Sequence, residues 1–269
     1  YPSHMVVNPR QQRLLEAVKR RGSVSVEELA QLLEVTAQTI RRDVTALAEA
    51  GLVARFHGGV GLPASTVENI AYRQRQALNP EGKARIARAV AARIPSGCSL
   101  FMNIGTTVEA VARALRHHDD LRVVTNNLNV AATLADNPRC EVIVCGGQVR
   151  PRDRGIIGEA AVDFIRQFRV DIGLIGISSI ETDGTLRDFD YREVKAAQAI
   201  IEQSREVWLV ADHSKFSRRA MVQLAHLSQV DVLFTDASLE PHMQACLEEA
   251  GGRCVVATGE PIEERGEVT

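Results

Sequence analysis

No stretch of this sequence is apolar for long enough to cross a bilayer, and none has the order of a signal peptide. No membrane partner is therefore expected, and a cytoplasmic location is. Cysteine is scarce and scattered: Cys98, Cys140, Cys145, Cys246 and Cys254 include no CxxC pair. Free buried thiols are expected rather than a metal site or a disulfide framework. GxGxxG and GxxxxGK[ST] are both missing, which argues against dinucleotide and P-loop nucleotide binding. HExxH and GxSxG are missing too, and no cofactor is expected. There is no internal repeat and no low-complexity segment. The leading YPSHM, which ends in Met5, is expected to lie outside the fold.

What is present is an ordinary globular composition, 45% apolar and 25% charged over 269 residues, enough chain for two domains. The net charge of −2 hides an asymmetry. Residues 1–60 carry eight Lys and Arg against six Asp and Glu, and the remainder carries 24 against 28. That is the sign expected of a DNA-binding head on an acidic body. The head reads as three helices and a hairpin. Leu14, Leu15 and Val18 form one apolar face before Gly22. Ser25 and Glu28 have capping-box spacing ahead of Val26, Leu29, Ala30 and Leu33. After a tight turn, Thr36 is positioned to cap a helix in which Ile40, Val44 and Leu47 face inward. Gln38, Thr39, Arg41 and Arg42 then occupy the outer surface of its first turns, as a groove-entering helix requires. "LVARFHGG" follows as strand and wing tip, with Arg55 and His57 placed to meet phosphate or the minor groove.

Residues 61–79 read as a linker, with a helical turn around Tyr72–Arg75. From Pro80 onward, apolar runs at 98–104, 121–125, 141–145, 170–177, 206–211, 230–235 and 253–257 alternate with helical patterns. This predicts an α/β domain with a mainly parallel sheet over 80–258. Ligands of such sheets bind where strand ends lead into helices, so the loops after the strands hold the candidate site. Gly105, Thr106 and Thr107 combine close backbone approach, two hydroxyls and a helix start, which suits a phosphate. Thr125, Asn126 and Asn127 offer hydroxyl and amide groups. Asp183, Asp190 and Glu193 lie in an acidic, hydroxyl-rich segment; Asp183-Gly184 reads as a turn, and Asp190 and Glu193 are candidates for accepting sugar hydroxyl protons. Asp212 and Lys215 pair an acceptor with a cation, suiting a polyol phosphate. Gly146 and Gly147, with "RDRGIIGE" after them, supply flexible backbone for a lid or an interface.

The stretch "SVSVEELAQLLEVTAQTIRRDVTALAEAGLVARFHGG" resembles the winged helix of the DeoR family of sugar-catabolism repressors. "NIGTT", "VVTNN", "CGGQVR", "GIIGEA", "DGTL", "DYREVKAA" and "VADHSKF" follow in the order of that family's sensor domain, which is itself similar to ribose-5-phosphate isomerase. The resemblance implies a winged helix-turn-helix over 5–60 that binds double-stranded operator DNA through Thr36, Gln38, Thr39, Arg41, Arg42, Arg55 and His57. It also implies a sugar-phosphate sensor with Asn103 and the loop residues above as its effector site, in a homodimer or homotetramer. "TNNLNVA", "RDRGIIGEAAVDFI" and "FDYREV" resemble those members that respond to sn-glycerol 3-phosphate, implying a repressor of glycerol and glycerol-3-phosphate catabolism genes. Family members usually have an acidic residue where this chain has Asn103, and the glycerol-3-phosphate responders are uncharged where it has Arg187. A sugar-phosphate isomerase is the alternative, with Asp183, Asp190, Asp212 and Lys215 as acid–base groups; the non-acidic Asn103 and the DNA-binding head count against it.

Overall fold

The computed structural model describes residues 7–21, 23–50, 52–56, 59–62 and 72–258. The head contains α1 (Pro9–Arg21), β1 (Ser23–Ser25), α2 (Val26–Leu33), α3 (Ala37–Glu49), β2 (Ala54–Phe56) and β3 (Gly59–Gly61). The Ser25 hydroxyl accepts from the Glu28 N–H at 3.1 Å, and the Glu28 carboxylate accepts from the Ser25 N–H at 3.0 Å. This reciprocal cap starts α2. Glu34 takes the left-handed conformation, φ 54°, and turns the chain into α3. Leu14, Val18, Leu29, Ile40 and Leu47 are fully buried and form the head's core. Asp43, buried on α3, accepts from Arg10 at 2.6 Å and from Gln11 at 3.2 Å, tying α3 to α1. Ser25 has a second role that its capping spacing does not reveal: β1 pairs with β3, so the sheet order is β1-β3-β2, antiparallel throughout.

The second part runs α4 (Tyr72–Ala77), α5 (Pro80–Ala91), β4 (Ser99–Met102), α6 (Thr106–Ala114), β5 (Leu121–Thr125), α7 (Leu128–Leu134) and β6 (Cys140–Val144). A hairpin follows, β7 (Gln148–Arg150) and β8 (Gly155–Ile157), and then α8 (Glu159–Ile165) and β9 (Val170–Gly176). The chain continues through β10 (Ser179–Ile180), β11 (Thr185–Asp188), α9 (Tyr191–Glu202), β12 (Ser204–Val210), β13 (Val222–His226), β14 (Val232–Thr235), α10 (Pro241–Glu249) and β15 (Arg253–Val256). The seven apolar runs form one parallel sheet, in the order β15-β14-β12-β9-β4-β5-β6. Strands covered on both faces read as continuous apolar runs, because either face contributes to a core. Leu100, Met102, Trp208 and Phe234 pack on one side, and Phe101, Ile175, Leu209 and Leu233 on the other. No described helix is long and apolar enough to cross a membrane.

The chain leaves β4 in one direction through β5 and β6, and returns to the other side of β4 with β9. The order reverses between β4 and β9, and crevices in open α/β sheets open at such points. Two additions frame this crevice. One is the β10-β11-β13 antiparallel sheet. The other is the β7–β8 hairpin, which the sequence suggests only as flexible backbone. The hairpin packs so closely that a Cβ at Gly155 would lie 2.5 Å from Ile104 Cδ1. Within the 61–79 segment expected as a linker, Gly61 belongs to the wing sheet and 72–77 form a helix, while 63–71 lie outside the described residues. The helical turn expected around Tyr72–Arg75 is α4, in which Arg75 is buried.

Arg150 fastens the hairpin. Its guanidinium donates to Asp153 twice, at 2.9 and 2.7 Å, to Asp190 at 2.9 Å and to Glu193 at 2.6 Å. It is 6% exposed, so these charge-assisted bonds form out of water. Removing one member of such a network leaves uncompensated buried charge. Arg150→Met is expected to destabilise the chain by about 3–5 kcal/mol, read as a lower urea midpoint by Trp208 fluorescence. An unchanged midpoint would contradict the clamp.

Candidate functional site

Helix α3 presents one face to solvent. Thr36, Gln38, Arg41 and Arg42 are exposed and Thr39 is half-buried. The Thr36 hydroxyl caps the helix, accepting from the Thr39 N–H at 3.2 Å, and the two hydroxyls lie 2.9 Å apart. The structure therefore gives Thr36 a structural role in aiming α3. Arg41 lies 3.6 Å from Glu27, with both side chains mostly in water, a pairing too weak to hold it from another anion. Arg55 reaches from β2 to the Thr45 hydroxyl at 3.4 Å, which brings the wing strand and α3 onto one surface. His57 lies outside the described residues.

At the reversal between β4 and β9 is a small, narrow cavity. Its walls include Ile104, Gly105, Thr106 and Thr107 after β4, Gly176, Ile177 and Ser178 at the end of β9, Asp188, Glu193, Lys215, and Arg75 from α4. Gly105 takes φ 153°, a conformation L side chains rarely adopt, and its Cα lies close to that of Gly176. No side chain caps α6, so its first N–H groups and positive dipole end are available to an anion. Lys215 is 7% exposed. Burial and the neighbouring Arg218, Lys83 and Arg75 bring its ammonium down to about 7, against the attraction of Asp212. On the opposite wall, burial and the nearby Asp188 push Glu193 up to about 7 although Arg150 opposes this. Asp188 accepts from the Ser178 hydroxyl at 2.9 Å and from the Phe189 N–H at 2.7 Å. The cavity thus has a cationic, N–H-rich end and a carboxylate end.

The structure separates the sequence candidates into groups. Gly105, Thr106, Thr107, Glu193 and Lys215 meet at the cavity. Asp212 is fully buried beside them; one oxygen accepts from the Ser214 N–H at 2.9 Å and the other is unpartnered. Asn103 is buried with its side-chain oxygen unpartnered. Thr125, Asn126 and Asn127 do not line the cavity and have local partners, although the Asn126 side-chain oxygen, like that of Asn103, has none. Thr125 donates to Met102 O at 2.6 Å and accepts from the Asn127 N–H at 3.0 Å. Asn126 donates to Ile156 O at 3.3 Å, and Asn127 caps α7 and donates to Glu109 at 3.2 Å. Gly146 and Gly147 turn the chain between β6 and β7, away from the cavity. A Cβ on Gly147 would meet Ile156 Cγ2 at 2.9 Å. Asp183 also belongs elsewhere: it is exposed in the β10–β11 turn and accepts from the Thr185 N–H at 2.9 Å, so its turn role excludes it from the cavity. Asp190 caps α9 and bonds Arg150, one step behind the wall. Arg187 pairs with Glu181 at 3.0 Å and is not a lining residue.

Sequence reasoning missed Arg75, Ser178, Asp188 and the Arg150–Asp153 pair. Arg75 is 7% exposed and donates to Asp153 at 3.2 Å. Burial works against ionisation of Asp153, but Arg150 and Arg75 outweigh it and hold its carboxyl below the usual range. The one available signal was the segment "DGTLRDFD", where Asp188 sits among other acids with nothing to single it out.

Comparison with known proteins agrees with both halves of this description. Residues 10–66 match the DeoR-like helix-turn-helix domain, and residues 78–237 match the DeoR C-terminal sensor domain. The glycerol-3-phosphate regulon repressor of Escherichia coli (strain K12) is 55% identical over 224 residues, 83% of this chain and 88% of its own. The protein of that name from Haemophilus influenzae is 52% identical over 226 residues, 84% and 88% of the two chains. The HTH-type transcriptional repressor CsqR of Escherichia coli (strain K12) is 45% identical over 241 residues, 88% and 92%. Among solved structures, ribose 5-phosphate isomerase A from Methanocaldococcus jannaschii overlaps 51% of this chain and 55% of its own at 14% identity and a TM-score of 0.38, a likeness too slight to argue from. With a helix-turn-helix head and a sensor domain both matched along its length, this chain belongs to the DeoR family.

Proposed function

We propose that this protein represses glycerol and glycerol-3-phosphate catabolism genes in the cytoplasm and is released from its operator by a small phosphorylated effector, sn-glycerol 3-phosphate. The head of residues 5–60 grips the double helix, and the sensor of residues 80–258 holds the effector. The observation carrying this reading is the cavity at the sheet's reversal point. There an uncapped helix start, Thr106, Thr107 and Lys215 suit a phosphate dianion, and Asp188 and Glu193 suit polyol hydroxyls. The names of the relatives at 55% and 52% identity point to the same metabolite. One head covers few base pairs, so a homodimer or homotetramer on an inverted repeat is part of the proposal, with heads about 34–36 Å apart or a multiple of that.

The isomerase alternative requires a free carboxylate base at the sugar carbon. Asn103 cannot serve, Asp183 lies outside the cavity, Asp190 and Glu193 are both bonded to Arg150, and Asp212, although one of its oxygens is unpartnered, is fully buried and does not line the cavity. These placements favour capture without conversion. Fluorescence anisotropy of a duplex selected from random-sequence DNA by the protein tests the reading directly. Glycerol 3-phosphate is expected to release the duplex, glycerol is expected not to, and NMR is expected to find the phosphate ester unchanged. Turnover, or indifference of the DNA complex to every phosphorylated polyol and sugar tried, would refute it.

Two further outcomes are expected. Arg42→Ala weakens duplex binding. A loss uniform over sequences, with a salt slope smaller by about 1, marks a phosphate contact; a loss of about 1–3 kcal/mol confined to one position marks a base edge. Unchanged binding would remove Arg42 from the interface. The second concerns pH. Lys215, at about 7, loses its charge as pH rises, while Glu193, also at about 7, gains one. A phosphate monoester with a second pKa of about 6 is already a dianion. Effector affinity should therefore fall between about pH 7 and about pH 9, by at most about ten-fold per pH unit for each coupled proton, and binding near neutrality should take up protons. Calorimetry in buffers of different ionisation heat measures that uptake; affinity that rises with pH contradicts the assignment.

A further inference from the structure

Arg75 belongs to α4, the first described element after the head, yet its side chain forms part of the cavity wall. Its pairing there is incomplete. One terminal nitrogen reaches Asp153 at 3.2 Å, and the buried Nε has no partner. Both Asp153 oxygens already accept from Arg150, at 2.9 and 2.7 Å. Arg75 is thus a guanidinium beside an anion-suited cavity, holding the weaker share of a carboxylate. A phosphate offers the planar fork two oxygens at once, which a shared carboxylate does not.

The backbone that carries Arg75 is tied to both ends of the molecule. Tyr72 donates to Glu109 at 2.6 Å, and Glu109 lies on α6, the helix that begins at Gly105-Thr106. The buried Lys83 ammonium donates to the carbonyls of Arg75 and Leu78. One residue further, the Asn79 N–H donates at 2.9 Å to the carbonyl of Arg20, in the last turn of α1. The Asn79 side chain donates to Asp236 at 2.7 Å, which also binds His213 at 2.9 Å. Only three residues therefore separate Arg75, at the cavity wall, from Asn79 and its main-chain bond to the head. An open groove of about 670 Å³ lies beside that contact, between α1 and Ala77–Leu78.

We infer that Arg75 contacts the phosphate of the effector, and that α4 transmits occupancy of the cavity to the DNA-binding head. This rests on the sensor reading above. An anion in the cavity draws the guanidinium from Asp153, α4 follows its side chain, and the Asn79–Arg20 contact moves with it. The head's position then depends on whether the cavity is filled, with the Lys83 and Tyr72 bonds limiting α4 to a few discrete placements.

The test uses the full chain, glycerol 3-phosphate and the duplex selected by the wild type. Each variant's own unliganded duplex affinity serves as its reference, and Trp208 fluorescence checks folding. Arg75→Gln is expected to weaken glycerol 3-phosphate by about ten-fold or more, and at saturation to keep most of its duplex affinity where the wild type loses it. Arg75→Lys, which keeps the charge without the fork and leaves the packing closer to native, is expected to lie between the two. A responsive wild type alongside Arg75→Gln with unaltered effector affinity, or with full release at saturation, overturns this inference alone. A wild type indifferent to glycerol 3-phosphate overturns the parent reading, and this inference with it.

Discussion

A guanidinium withdrawn from water, that of Arg150, bonds carboxylates from its own hairpin and from the start of α9. Without it, Asp153, Asp190 and Glu193 would face one another in a poorly hydrated space, where like charges disfavour ionisation strongly. With it, the hairpin closes against Ile104, α9 is fixed at its first turn, and Glu193 forms one wall of the cavity. Because Asp153 is bonded by both Arg150 and Arg75, the same interaction determines how tightly α4 is held. The cavity wall and α4 therefore share one electrostatic centre.

Around that centre the chain keeps an unusual amount of charge out of water. Arg75, Lys83 and Lys215 are each at most 7% exposed, and so are Asp153, Asp188, Asp212 and Glu193. Buried ionic groups cost desolvation energy that hydrophobic packing of the same volume would not, so their presence asks for a role beyond stability. Burial lowers Lys83 and brings Lys215 to about 7. A dianionic ligand would restore the charge to Lys215 and improve the balance among the cations. In the proposed reading, this is what would distinguish a phosphorylated occupant from a neutral polyol.

Much of the frame was legible in the sequence because it depends on local pattern. The seven apolar runs became the seven parallel strands, and the Ser25–Glu28 and Thr36 caps begin α2 and α3 as their spacing implies. Gly105, Thr106, Thr107 and Lys215 reach the cavity because loops after parallel strands converge at one edge of the sheet. What stayed hidden depends on partners far apart in the chain. Arg75 and Asp153 are 78 residues apart, and Arg150 and Asp190 are 40 apart; no periodicity reports such pairs. The Thr125–Asn127 loop shows the converse, since hydroxyl and amide groups that suit a ligand equally suit the turn and helix cap they serve here. Asp183-Gly184 proved to be the turn that its composition also allowed.

The central claim is that the cavity and the DNA-binding face share free energy, and such sharing has to be reciprocal. Titrating glycerol 3-phosphate by calorimetry into the protein alone, and into the protein saturated with its selected duplex, measures it most directly. The account predicts weaker effector binding on the duplex, by the same factor by which saturating effector weakens the duplex, about 5–150-fold for couplings of typical size. Equal effector affinity in the two titrations would contradict it.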